Sequence, residues 1–218
     1  MYVFIEALQS TFLAGGSVML PIILTGVIGF YYLYSTWMRI GGDAFRKDVY
    51  MVVEMLRNDL NTRAEDPLRF ASKHLGLRGG IVSRELRLAL NVAKDTPEKY
   101  REYMQVRMIK TVQYMRQGTH IISVMAAAAP LLGLLGTVTG MVSTFEVITL
   151  YGNQNPVLMA DGISEALIST QSGLLVAFPL TLLKQRLDER IEYLTEQLEL
   201  GATIIENYMS LQATPKAT

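Results

Sequence analysis

Thr137 and Thr170 each sit on a run of small residues inside a stretch apolar enough to live in lipid, and Glu165 opens the second of those stretches. A threonine hydroxyl does not titrate near neutral pH, but it can hydrogen-bond a carboxyl group or a water, whereas a glutamate can also take up a proton. Thr137 belongs to "PLLGLLGTVTGMVSTF", residues 130–145, where Ala129, Gly133, Thr137, Gly140 and Thr144 recur at steps of four, four, three and four. Gly136 and Gly140 add a Gly-x-x-x-Gly pair. The second run carries Ala166, Thr170, Gly173 and Ala177 at the same kind of spacing, with Ser169 beside Thr170. In lipid, helices associate where small residues let backbones approach and polar groups hydrogen-bond across. Two such helices joined by a short connection are expected to form a tight hairpin.

Packing accounts for a single threonine, because its hydroxyl can bond its own backbone carbonyl four residues back. Two threonines at matching depth point further. At 1.5 Å per residue, Thr137 lies roughly 12 Å inward of Phe145 and Thr170 roughly 6 Å inward of Ala166. Both then fall in the outer half of a membrane, and symmetry in an oligomer would make them a polar band lining a pore. The segment between the two runs has Glu146, Asp161 and Glu165 as its only charges. Several copies around a pore mouth would gather cations, although ordinary solvation explains any one of these residues alone.

The rest of the composition sets the class. Half of the 218 residues are hydrophobic and 18% are charged, against about 25% in soluble domains. Formal net charge is zero, which favours neither nucleic acid nor an acidic polymer as partner. There is no cysteine, and His74 and His120 are far apart, so no metal or cofactor site is expected. An intramembrane hydrolase would need paired Asp, or Ser with a His base, at membrane depth. The histidine nearest a span, His120, stands at its inner end. An ion channel or a non-conducting scaffold is therefore expected rather than an enzyme.

Three charge-free runs, between Glu6 and Arg39, between Arg116 and Glu146, and from Ala166 to Leu183, are each long enough to cross a bilayer, which takes about 20 apolar residues. Sixteen of the 20 Lys and Arg residues fall between Arg39 and Arg116, and the other four, Lys184, Arg186, Arg190 and Lys216, follow the third run. The positive-inside rule then predicts an outer N-terminus and an inner C-terminus. With no basic residue before the first run, a cleaved signal peptide is not expected. The expected organisation is an all-α integral membrane protein with long cytoplasmic helical extensions. Residues 1–38 hold the outer N-terminus and first span, and 39–116 a cytoplasmic helical segment. Residues 117–183 form a transmembrane hairpin with an outer loop at 146–165, and 184–218 a cytoplasmic helical tail.

Within the cytoplasmic parts, Val49, Val52, Val53 and Leu56 follow helical spacing, and "SRELRLALNVA" reads as a second amphipathic helix set off by Gly79 and Gly80. A third helix is expected from "DTPEKY", capped by Asp95 or Thr96 with Pro97 in first position, and running on into the second span. Past the third span, Leu183, Leu187, Ile191, Leu194 and Leu198 form a narrow seam suited to packing along other helices.

"APLLGLLGTVTGMVSTF" together with "DGISEALISTQSGLLVAFPLTLL" resembles the paired-span signature of the MotA/TolQ/ExbB proton-channel family. The match covers about residues 126–186. Three spans with a large segment between the first and second resemble the TolQ and ExbB branch, and the MotA branch has a fourth. The resemblance implies a homo-oligomer, typically a pentamer, in a bacterial inner membrane, around a small single-span partner similar to ExbD or TolR that carries a membrane Asp. It implies that the proton-motive force drives an envelope-spanning partner of the TonB or TolA kind, or that the chain is a flagellar or gliding stator subunit, or is sodium-driven. By the family's motifs Thr137 and Thr170 line the proton path and Glu165 is the glutamate of the second motif. Pro130 and Pro179 match the family's prolines, and Thr139 departs from the bulkier residue that ExbB proteins carry there. Because the spans hold no Asp, Glu, Lys or Arg in their interiors, a second chain is expected to insert its carboxylate between the small stripes.

Overall fold

The structure, a computed structural model, describes residues 15–40, 49–61, 66–76, 80–151 and 156–213. Among these it is all-helical: α1 (Met19–Ile40), α2 (Val49–Asn61), α3 (Pro67–Gly76), α4 (Ile81–Asp95), a single 3₁₀ turn (Pro97–Lys99), α5 (Tyr100–Arg116), α6 (Thr119–Tyr151) and α7 (Pro156–Ala213). Three helical stretches are long and apolar enough to cross a membrane: Met19–Ile40, Pro97–Leu150 and Met159–Gln212. The chain divides into two compact units. One comprises Met1–Tyr34 and Gly118–Gln185, the other Ser35–Gln117 and Arg186–Thr218.

In the first unit small residues, Ala129, Ala166, Ser169 and Ala177, are buried beside Ile22, Ile122 and Leu180, while Leu131, Leu134, Leu175 and Phe178 point outward and stay exposed. Large apolar side chains left facing out over whole helices fit a hydrocarbon surround, and small ones facing in allow close backbone approach. Thr25, nearly two turns into α1, closes its hydroxyl on the Pro21 carbonyl at 2.8 Å, so it asks nothing of the lipid.

The second unit has a conventional core. α2 buries Val49, Val52, Val53, Leu56 and Leu60, as its spacing predicts. Gly79, one of the two glycines placed before α4, lies outside the described residues, and Gly80 takes a positive φ of 125°. Glu85 of α4 is buried and ion-paired. Its carboxylate accepts from Arg107 Nε at 2.5 Å and Nη2 at 3.2 Å, and from Arg84 at 3.1 Å. The Glu85 hydrogen bond holds the Arg107 guanidinium above its ordinary pKa. In the α7 seam Leu187, Ile191, Leu194 and Leu198 are all buried. Across from them the Leu86 side chain fills the space at Gly201, and the buried Tyr100 hydroxyl donates to the Ala202 carbonyl at 2.9 Å. Burial first, then the Glu206 charge, pushes the Tyr100 phenol well above its usual pKa.

Four local expectations change. The stretch expected as a loop at 146–165 is helical at 146–151 and again from Pro156, and residues 152–155 lie outside the described residues. Charges ended the apolar run there, but a helix needs no apolar run to continue. The helix beginning near Pro97 does not run unbroken into the second span, because α5 stops at Arg116 and Gly118 adopts φ 91°, a conformation that glycine alone reaches without cost. Thr96 lies at the N-terminus of the 3₁₀ turn but makes no side-chain cap. Leu183 is 38% exposed and falls outside the α7 seam. Helix α3 was not foreseen. Asp66 precedes it, accepts the Arg69 backbone N–H at 3.1 Å, and holds Lys94 at 2.5 Å, with Pro67 in the first helical position.

Candidate ion pathway

The hairpin of α6 and α7 is closed by glycines. A β-carbon added at Gly173 would stand 2.5 Å from the Ala129 carbonyl oxygen, and one at Gly133 would stand 3.1 Å from the Thr170 Cα. One at Gly140 would stand 2.9 Å from the Gly162 carbonyl oxygen and 3.0 Å from the Ala166 Cβ. One at Gly136 would collide with the Ser169 hydroxyl, and one at Gly162 with the hydroxyl of Thr144. The α6 side of the seam is therefore Ala129, Gly133, Gly136, Gly140 and Thr144. It meets Gly162, Ala166, Ser169, Thr170, Gly173 and, a turn further in, the buried Ala177. Two features differ from the spacing argument. Gly136 rather than Thr137 occupies the seam, and Gly162 extends it outward by a turn.

The hydroxyls divide between the two roles weighed from the sequence. Thr137 donates to its own helix, to Leu134 O at 2.7 Å, and Thr144 to Gly140 O at 2.9 Å. Thr170 instead reaches across the hairpin and donates to Gly133 O at 3.1 Å. Ser169 donates to Ala166 O at 2.8 Å and approaches the same Gly133 oxygen at 3.4 Å. Thr170 is thus level with Gly133, and Thr137 stands four residues, about 6 Å, further along α6. The two hydroxyls are not brought together, but both threonines remain half-buried at the edge of the seam. Because the small stripes fill one another, a carboxylate from another chain has no space between them and would have to approach along that edge.

Glu165 is half-buried one turn before Ser169. Its side chain lies against Gly16, whose φ of 69° belongs to the turn that leads into α1, and a β-carbon there would collide with the carboxylate. α1 also meets α7 at Gly26, against Val176, and at Gly29, against Leu180. These α1 glycines were not singled out from the sequence, where their spacing of three was a visible signal. Pro130 and Pro179 lie inside α6 and α7 and so supply no N–H to the carbonyls of Ala126 and Leu175. Pro130, Gln171, Leu174 and Phe178 line a groove of about 590 Å³ on the hairpin's flank, together with those two residues. No cluster of three metal-ligating side chains occurs among the described residues.

Fold and site together define a polytopic α-helical membrane protein with a glycine-sealed hairpin and half-buried hydroxyls at its edge. A family model described as the MotA/TolQ/ExbB proton channel family matches residues 74–200, and the chain belongs to that family. It is 31% identical over 176 residues to a biopolymer transport protein, ExbB-like 1, of Synechocystis sp., covering 78% of this chain and 66% of the relative. It is 32% identical over 130 residues to an ExbB homologue of Methanothermobacter thermautotrophicus, covering 60% of this chain and 46% of that one. To the biopolymer transport protein ExbB of Pseudomonas putida it is 33% identical over 99 residues, covering 44% and 30%. The chain spans two thirds or less of the length of these relatives.

Proposed function

We propose that this chain is the pore-forming subunit of a proton-driven membrane motor of the ExbB kind. It works as a homo-oligomer, a pentamer by family resemblance, with a single-span partner that carries a membrane carboxylate. The observation that carries this reading is the absence of any Asp, Glu, Lys or Arg inside the spans, set beside two half-buried threonines on the hairpin edge. With its proton already donated to a backbone carbonyl, each threonine hydroxyl can accept from a protonated carboxyl there and can donate to an ionised one by giving up that bond, yet the chain has no carboxylate of its own at that depth. Glu165, at the outer end, is positioned to receive cations from the acidic entrance that it forms with Glu146 and Asp161. One proton crossing 100 mV releases about 2.3 kcal/mol, enough to bias a rotating or rocking element. In this reading residues 39–116 and 184–218 are cytoplasmic and the connection at 152–155 is outside, in a bacterial inner membrane, and the driven element reaches an envelope-spanning partner.

Liposomes with a pH-sensitive dye inside test it. The purified chain alone gives little proton flux, and coexpression with an Asp-bearing small subunit restores flux. Robust flux from the chain alone that Glu165→Gln abolishes would make Glu165 the carrier and overturn the two-chain reading. A non-conducting scaffold is the second reading, favoured by Thr137 spending its hydroxyl on Leu134 O. It is the outcome if the full complex passes no protons.

A further inference from the structure

On the second unit, two exposed faces of opposite charge lie level with each other. Between α4 and α5 runs a groove of about 530 Å³ with Val92, Tyr103 and Val106 in its lining and Lys99, Arg107 and Lys110 as its basic groups. Glu102 is the acidic residue of that lining. Val106 is 49% exposed and contributes apolar surface to the groove. Arg107 is committed to Glu85, but Lys99 and Lys110 are exposed and form no ion pair within the described chain. On α7, Glu192, Glu196 and Glu199 make an exposed ridge at steps of four and three, with Leu200 beside it at 51% exposure. These three glutamates also have no ion pair among the described residues.

The two faces share a register. Tyr100 bonds Ala202 and Arg101 bonds Glu206, while Met108 lies across from Glu199 in the furrow they share, so α5 and α7 run antiparallel here. Counted from Tyr100 and Ala202, Lys110 is level with Glu192, and counted from Arg101 and Glu206 or from Met108 and Glu199 it is level with Gln197, so Lys110 stands within the span of the Glu192–Glu199 ridge. By the first of these counts Lys99 is level with Thr203, one turn from Glu199, about 6 Å. Rotation about an axis along these helices keeps every residue at its own level. We propose that in the homo-oligomer the α7 ridge Glu192–Glu196–Glu199 of one copy seats in the α4/α5 groove of the next, with Lys110 facing the Glu192–Glu196 turn and Leu200 covering the apolar floor. The contact joins different faces of identical chains, so it propagates in one direction, and in a cyclic oligomer its rotation closes as a ring. Its charges set register and partner choice. The inference rests on the oligomeric reading above and adds which surfaces meet.

The absence of native cysteine makes the test clean. Full-length chains carrying Lys110→Cys or Glu192→Cys, with different tags, are coexpressed and their membranes treated with a short bis-maleimide. The expected result is a crosslinked dimer containing both tags, with none from either variant alone. In a separate pair without cysteines, Lys110→Glu lowers the oligomer yield on native gels severalfold, and adding Glu192→Lys to the same chain restores it. No mixed-tag dimer from a complex that still runs as an oligomer overturns this interface and leaves the oligomeric reading standing. A chain that runs as a monomer overturns both.

Discussion

Thr170 donates its hydroxyl to the carbonyl oxygen of Gly133 at 3.1 Å, across the hairpin, at the level where the two backbones are close enough that a β-carbon at 133 would stand 3.1 Å from the Thr170 Cα. A hydroxyl in that position supports the hairpin and borders its edge at once. Thr137, satisfied within its own helix, has only the second role.

The two threonines should therefore respond differently to Val. Thr170→Val removes an interhelical hydrogen bond and leaves Gly133 O with Ser169 at 3.4 Å, at a cost of about 0.5–1.5 kcal/mol. Thr137→Val should leave stability nearly unchanged. Both should lower proton-driven function if the edge is the path. Thermal unfolding in detergent reads the first effect and proton uptake by the complex reads the second. Equal melting temperatures for the two variants would contradict the cross-hairpin bond, and wild-type proton uptake in both would favour the scaffold.

Glycines should sort by what they touch. Gly173→Ala puts a β-carbon 2.5 Å from the Ala129 carbonyl, where backbone must move, and overpacking of that kind costs about 1–3 kcal/mol. Gly201→Ala meets the Leu86 side chain and no backbone atom, so a side chain rather than a helix must shift, and its cost should be smaller. Melting of the two variants in the same detergent measures the difference, and a reversed order would mean that the hairpin is looser than described.

The hairpin was legible because lipid leaves small-residue spacing as the dominant signal for helix pairing, and Gly133, Gly140, Ala166 and Gly173 carry that signal plainly. Whether Gly136 or Thr137 enters the seam was not legible. Both lie within a turn of Gly133, and the choice depends on how the partner helix crosses. The contact of Glu165 with Gly16 joins residues far apart in sequence and leaves no local pattern at all. Helix α3, only ten residues long, was too short for periodicity to reveal. Its real signal was the Asp66-Pro67 start, whose capping chemistry the structure shows. The Gly118 break was visible as a residue type, but a glycine inside a long helical pattern does not announce a positive φ.

Asp66 predicts an acid limb of stability. The Lys94 hydrogen bond, and then the Arg69 backbone N–H, hold its carboxyl below the ordinary 3.8. On acidification the unfolded chain binds the proton before the folded one does. The contribution is therefore complete above about 3.8, where the unfolded carboxyl is ionised, and fades as pH falls through the lowered folded value. Asp66→Asn should flatten stability between pH 5 and pH 2, about the range over which carboxylates titrate, and leave neutral-pH proton uptake intact. An unchanged acid limb in urea titrations across that range would mean that other carboxylates carry it.

Orientation decides whether the acidic entrance can gather ions from outside. Basic residues crowd 39–116 and the tail, and the stretch from Glu146 to Glu165 has none, so the membrane's charge asymmetry should hold that stretch outside. Thr149 and Glu98 are both exposed, and no native cysteine competes for reagent. In intact spheroplasts Thr149→Cys should react with an impermeant maleimide and Glu98→Cys should react only after lysis. This geometry matters to the mechanism because Glu165 lies at the same end as Thr149, while the cation-attracting charges are useful only on the side from which protons enter. The reverse labelling pattern would put Glu146, Asp161 and Glu165 at the exit, and an acidic exit would retain protons instead of feeding them to the threonine edge.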